Sequence, residues 1–271
     1  MIKRLKKTLY YLCTALLSMF FIIPLWMVFI NAFKTKKDAR YFSLLPPIKP
    51  VFENFVTVIN QGHAFRALKN GLIVSTGSVL IVIAFSALAA FAITRNRAKW
   101  SQAIYYLFLC GLVIPVAFIP TYLILNTLKL FNSYLGLILV SATYGLPMSV
   151  FLYAGFMKSI PRELDEAGLL DGCTPLGLFF AVVFPLLKPV TMTLFIFNFI
   201  GCWNDIQVPL YFSNSEKWNL PLTLYNFYGT YGSSWNLIFA DIVITVTPLL
   251  LLYLFCQKYI IAGMTAGAVK G

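Results

Sequence analysis

The chain has 271 residues, 60% of them hydrophobic and 11% charged, with a mean hydropathy of +0.82. A soluble globular protein carries about 25% charged residues, so this composition excludes an ordinary soluble domain and points to an integral membrane protein. The net charge of +12 does not indicate nucleic-acid binding, because the basic residues sit in short flanks beside apolar runs, as membrane topology requires.

The first such flank is Lys3, Arg4, Lys6 and Lys7, followed by an apolar run from Leu9 to Ala32. That run exceeds the 7–15 residues typical of a signal-peptide core, and no convincing small-residue cleavage site follows it. It reads as an uncleaved first transmembrane helix with its basic end in the cytoplasm. Lys34 to Lys69 reads as a polar connection containing Pro46, Pro47 and Pro50. A second helix over about Gly71–Ile93 ends in the basic turn Arg95, Arg97, Lys99, and a third over about Ala103–Leu125 contains Pro115 and Pro120. Prolines at such depth imply kinks, with freed carbonyls satisfied by neighbouring helices.

After a short outer turn at Lys129–Ser133, a fourth helix covers about Tyr134–Met157. The acidic stretch Ser159–Pro189 follows on the cytoplasmic side. A fifth helix over Val190–Phe212, an outer aromatic loop over Ser213–Asn236 and a sixth helix over Leu237–Tyr259 complete the count. The expectation is an all-α integral membrane protein: one transmembrane domain over 1–271, six spans, and both termini cytoplasmic. Cys13, Cys110, Cys173, Cys202 and Cys256 show no CxxC spacing and read as small hydrophobes. His63 is the only histidine, which leaves no basis for a His-built metal site, and no cofactor motif is present.

The stretch Ser159–Pro189 stands apart. It holds Glu163, Asp165, Glu166 and Asp171, four of the nine acidic residues. Pro161 suits a first helical turn, and acidic residues just after it complement the macrodipole. Leu164, Ala167 and Gly168 fall at helical spacing, giving a narrow face with a small centre. Asp171-Gly172 supplies a helix stop, and Thr174-Pro175 reads as an N-cap with a first-turn proline, opening a second short helix to Pro185. Anionic residues are poorly suited to an anionic cytoplasmic leaflet, and small residues admit another backbone. A docking surface fits better than a solvated loop.

Glu166-Ala167-Gly168, Asp171-Gly172 and Pro185, thirteen positions after that glycine, resemble the EAA motif of ABC-importer permeases. Trp203-Asn204-Asp205, Asn219-Leu220-Pro221-Leu222 and the C-terminal run from Gln257 to Gly271 are similar to the MalG-type carbohydrate permeases. Gly168 departs from the pattern, which usually has a second alanine there. The resemblance implies a permease of the bacterial cytoplasmic membrane, with a cytoplasmic coupling helix between helices 4 and 5. Implied partners are a second permease subunit, two cytoplasmic ATPase subunits and an extracytoplasmic sugar-binding protein that delivers a carbohydrate, an oligosaccharide by this likeness. On this likeness Glu163, Glu166, Ala167, Gly168, Asp171 and Gly172 carry ATPase coupling, and the Gly263–Gly271 tail touches the ATPase dimer. No G-x-x-x-x-G-K-[ST] phosphate loop occurs, so ATP hydrolysis by that route belongs to a partner.

Intramembrane polar residues are the candidates for substrate contact: Asn198, Trp203, Asn204 and Asp205 on the fifth helix, with Asp241 on the sixth. Charge at depth is costly and usually faces a cavity or partner. An aromatic face stacks on sugar C–H surface while amides and carboxylates bond hydroxyls. The bland alternative is helix–helix hydrogen bonding, with Trp as an interfacial anchor. A stand-alone ion-coupled transporter or channel would call for paired buried charges and an internal repeat, and neither is visible. An intramembrane enzyme would need a catalytic constellation that is also missing.

Overall fold

The computed structural model describes residues 2–96, 98–229 and 233–268, with side chains over 7–96, 98–229 and 233–257. Among them all regular structure is helical. The longer helices are α1 (Ile2–Asn31), α2 (Glu53–Gln61), α3 (Ala64–Arg95), α4 (Lys99–Gly111), α5 (Phe118–Thr127) and α6 (Tyr134–Met157). Then come α7 (Glu163–Leu170), α8 (Pro175–Leu178), α9 (Phe184–Leu186), α10 (Lys188–Asn204), α11 (Gln207–Phe212), α12 (Leu220–Thr223) and α13 (Trp235–Ala268). Among the described residues, four stretches are long and apolar enough to cross a membrane: Lys7–Asn31, Ala64–Arg95, Tyr134–Met157 and Trp235–Gln257. A fifth candidate is the pair Pro175–Leu186 and Lys188–Asn204, bent by 79°. The chain forms two compact units, Met1–Leu68 with Leu220–Pro248, and Lys69–Asn219 with Leu249–Gly271.

In the first unit, one buried asparagine ties together the end of α1 and the start of α13. Asn54 Nδ2 donates to the carbonyls of Ala32 (2.8 Å) and Lys34 (2.9 Å), freed where α1 ends, and its Oδ1 accepts from Asn236 Nδ2 at 2.7 Å. Phe33 adds ring contacts to Phe29, Phe52 and Phe55. The stretch read from sequence as a polar connection is therefore packed and partly helical. Its signal was hidden because the buried pair of α2, Asn54 and Val58, has helical spacing but only one apolar member. Asp241 is fully buried here, accepting from Thr223 Oγ1 at 3.1 Å.

In the second unit, α3, α6 and α10 pack through small residues, as membrane helices without a hydrophobic driving force must. A Cβ on Gly77 would come within 2.7 Å of Ile138, and one on Gly145 would collide with the Asn198 carboxamide. Ser133 caps α6, its Oγ accepting from the Gly136 N–H at 2.9 Å. Two expected helices are interrupted. The third divides into α4 and α5 around 112–117, where Pro115 lacks an N–H and biases Ile114 away from helical backbone. The fifth divides at Asp205 and Ile206. Helix α3 also begins about two turns earlier than expected, at Ala64.

Candidate functional site

The acidic segment is built locally. In α7 the Arg162 carbonyl accepts from Asp165 N (2.9 Å) and Glu166 N (3.1 Å), so the helix starts just beyond Pro161 instead of on it. Gly172 stands at φ +82°, with Cys173 N bonded to Gly168 O and Gly172 N to Leu169 O. This reciprocal pair is a Schellman closure, in which a left-handed glycine lets the chain satisfy its last carbonyls. Thr174 Oγ1 then accepts from the Gly177 N–H at 3.2 Å with Pro175 in the first turn, as the sequence implied. Beyond α8 the helix widens to a π-turn over Phe179–Val183 before α9.

The two halves of the segment face different surroundings. Glu163, Glu166, Ala167, Asp171 and Gly172 are exposed, whereas Gly168 and Asp165 are buried. Gly168 lies under Leu178: a Cβ there would sit 2.6 Å from Leu178 Cδ1. The departure from alanine thus has a packing reason, and Gly168 belongs to the inner side of α7 and not to its outer face. Beyond it, Phe179, Val183 and Leu187 are buried with Ala87 and Ala90 of α3 and with Tyr153, Ala154 and Met157 of α6. Asp165 is the residue that sequence reasoning passed over. Its carboxylate Oδ2 is 2.7 Å from Arg95 Nε at the end of α3. Its i, i+3 relation to Gly168 places both on one helix face, which was the available signal.

A cleft of about 240 Å³ opens between α3, α6 and α10, lined by Ser78, Ser141, Tyr144, Asn198, Cys202 and Asp205 together with Val82, Gly145, Phe197 and Gly201. Asn198 Nδ2 donates to Ser149 Oγ (3.1 Å) and Leu194 O (2.8 Å). Asp205 does structural work: its Oδ1 accepts from Gln207 N (2.8 Å) and Val208 N (3.4 Å), capping α11. Asn219 Nδ2 donates to Trp203 O (3.2 Å) and Asp205 O (2.8 Å), satisfying carbonyls that the break exposes. Interrupted backbone at membrane depth survives only with such partners.

Of the four substrate candidates, Asn198 and Asp205 share this cleft. Trp203 does not: it is 1% exposed, stacked on Phe199 with centroids 5.9 Å apart and pressed on Gly71. Asn204 is exposed and outside the cleft lining. Ser78, Ser141 and Tyr144, on helices distant in sequence, had no motif to announce them. In the C-terminal tail, Val269 to Gly271 lie outside the described residues, as do Arg97 and the side chains from Lys258 onward.

The lining combines the hydroxyls of Ser78, Ser141 and Tyr144, the Asn198 carboxamide, the Asp205 carboxylate and the rings of Tyr144 and Phe197, groups able to hydrogen-bond or stack on a bound molecule. Residues 82–266, more than half of the chain, match the family described as binding-protein-dependent transport system inner membrane component. The chain is 33% identical to the probable starch degradation products transport system permease protein AmyC of Thermoanaerobacterium thermosulfurigenes, over 94% of this chain and 93% of that one. It is 36% identical to the multiple sugar-binding transport system permease protein MsmG of Streptococcus mutans, over 92% of each. It is 32% identical to the melibiose/raffinose/stachyose import permease protein MelC of Bacillus subtilis, over 96% and 95%. The fold is that of a chain in the crystal structure of a bacterial ABC transporter involved in alginate import, with a TM-score of 0.79 at 18% identity over 94% of this chain and 96% of that one. With family and fold in agreement, this chain belongs to the inner-membrane components of binding-protein-dependent transport systems.

Proposed function

We propose that this chain is a sugar permease subunit of an ABC importer, supplying half of the pathway for an oligosaccharide and coupling to a separate ATPase through 159–189. The observation that carries the proposal is the two-faced α7: Glu163, Glu166 and Ala167 are exposed, yet the helix is closed at its C-terminal end by the Gly172 turn and joined by the chain to α6 and α10, two walls of the cleft. Six spans follow if α4 with α5 and α10 with α11 are each one interrupted crossing. At 1.5 Å per residue α10 alone extends about 26 Å, close to the ~30 Å hydrocarbon thickness. The basic flanks Lys3–Lys7, Arg95–Lys99 and Lys158–Arg162 then share the cytoplasmic side with both termini. An extracytoplasmic binding protein, a second permease and two ATPase subunits complete the assembly. In this reading ATP-driven movement of α7 biases the cleft between outward and inward access, with Asn198 and Asp205 meeting sugar hydroxyls.

The test is purification through a tag on this chain. Wild type brings down its ATPase subunit, and Glu166→Arg, which reverses charge on the exposed face, releases it. Unchanged ATPase recovery with Glu166→Arg, or sugar transport by this chain without an ATPase, contradicts the proposal.

A further inference from the structure

The cleft and the acidic segment share three helices. Two of them, α6 and α10, are joined to the segment by the chain itself, at Met157 and Lys188. The third, α3, is distant in sequence, and two kinds of contact hold it there. One is apolar: Ala87 and Ala90 pack in the cluster containing Phe179, and the Phe91 and Phe179 rings lie 5.2 Å apart. Apolar attraction is non-directional, so surfaces held by it alone can slide.

The other contact is polar and runs in both directions. From α3, Arg95 Nε reaches Asp165 Oδ2 at 2.7 Å, with the two side chains 14% and 13% exposed. The Arg95 Nη1 and Nη2 groups donate to Ile160 O, each at 3.4 Å. From the segment, Arg162 Nη2 donates back to Thr94 O at 3.1 Å. The Arg95–Asp165 contact is a close pairing of charge, and the bonds from the two guanidinium groups to the Ile160 and Thr94 carbonyls supply the hydrogen-bonded part. A low-dielectric setting strengthens the attraction relative to water.

We propose that this clasp, centred on the Arg95–Asp165 ion pair, makes α3 move with α7, so that all three walls of the cleft answer a displacement of the segment. Helix α3 carries Ser78 and Val82 into the cleft lining, and Val82 lies about 20 Å along the helix from Arg95 at 1.5 Å per residue. Arg95 and Asp165 are positioning residues: they act through α3 on the cleft and touch no substrate. This inference rests on the coupling role proposed for the segment.

The test uses the transporter purified through this chain with its ATPase subunits, and a water-soluble maleimide as probe of Cys202, which lines the cleft. Cys202 alkylation is followed by mass spectrometry with and without ATP and orthovanadate. In wild type, trapping changes the rate by about tenfold, within the usual range for coupled sites. In Asp165→Asn and Arg95→Gln the change falls below about twofold while ATP hydrolysis continues, and the double variant is no worse than either single one, as members of one pair require. Arg162→Gln, which removes only the reach to Thr94, gives a partial loss and serves if the buried variants fold poorly. A full response in Asp165→Asn or Arg162→Gln, or multiplying effects in the double variant, overturns the clasp. Glu166→Ala separates the two claims: response lost in Glu166→Ala but intact in Asp165→Asn removes only the clasp. No response in wild type, or a full response in Glu166→Ala, removes the coupling role itself.

Discussion

The acidic segment and the cleft are joined by the same helices but assembled in opposite ways. From Arg162 to Leu178 the segment closes on itself: the Schellman pair at Gly172 and the Thr174 cap lie within it. The cleft draws Ser78 from α3, Ser141 and Tyr144 from α6, and Asn198 and Asp205 from the interrupted fifth helix, so its shape depends on inter-helix distance. The difference teaches that the segment can be altered one residue at a time, while the cleft responds to any change in how closely the helices approach. Asp165 bridges the two regimes, because a locally built helix uses it to hold a distant one.

The largest stability effect should come from that bridge. Asp165→Asn leaves Arg95 without its charge partner, and breaking a buried pair costs about 3–5 kcal/mol. The partial exposure of both groups puts this case at the low end, read as a fall in melting midpoint in detergent. Next comes Gly145→Leu, which sets a side chain against the Asn198 carboxamide. Overpacking of this kind costs about 1–3 kcal/mol, and it should narrow the cleft, slowing Cys202 alkylation. Asn219→Ala unpairs two carbonyls at the break after α10, at about 2 kcal/mol for buried acceptors left unmet. A variant as stable as wild type would show that water replaces the amide there. Gly172→Ala places a Cβ at φ +82°, costing about 1 kcal/mol through local strain alone. The smallest stability change belongs to Glu166→Ala, exposed on α7, at within about 0.5 kcal/mol, although it should reduce ATPase association sharply. That split between stability and association is the clearest mark of a docking face.

How far the sequence foretold this follows the same division. The fourth helix, the stop at Gly172 and the cap at Thr174 were legible because each signal lies within a few residues of its effect. The interruption at Pro115 was foreshadowed by the proline but underestimated, since sequence alone does not show whether a helix bends or breaks. Trp203 looked like a sugar platform because Trp beside Asn and Asp suits recognition. In the structure the ring turns to Phe199 and Gly71, an orientation set by tertiary packing. Asp165 sat among obvious acidic neighbours, and its partner Arg95 seemed no more than part of a topogenic basic turn. Only the folded chain distinguishes one carboxylate facing in from three facing out.

The most direct test of the central claim, that the outer face of α7 meets an ATPase, is crosslinking in intact membranes. Glu166→Cys carrying a benzophenone maleimide should yield an adduct with a nucleotide-hydrolysing subunit. The same probe at Lys129→Cys, beyond the opposite end of α6, should not. Equal adducts from both positions, or none from position 166 while the transporter remains active, would contradict the account.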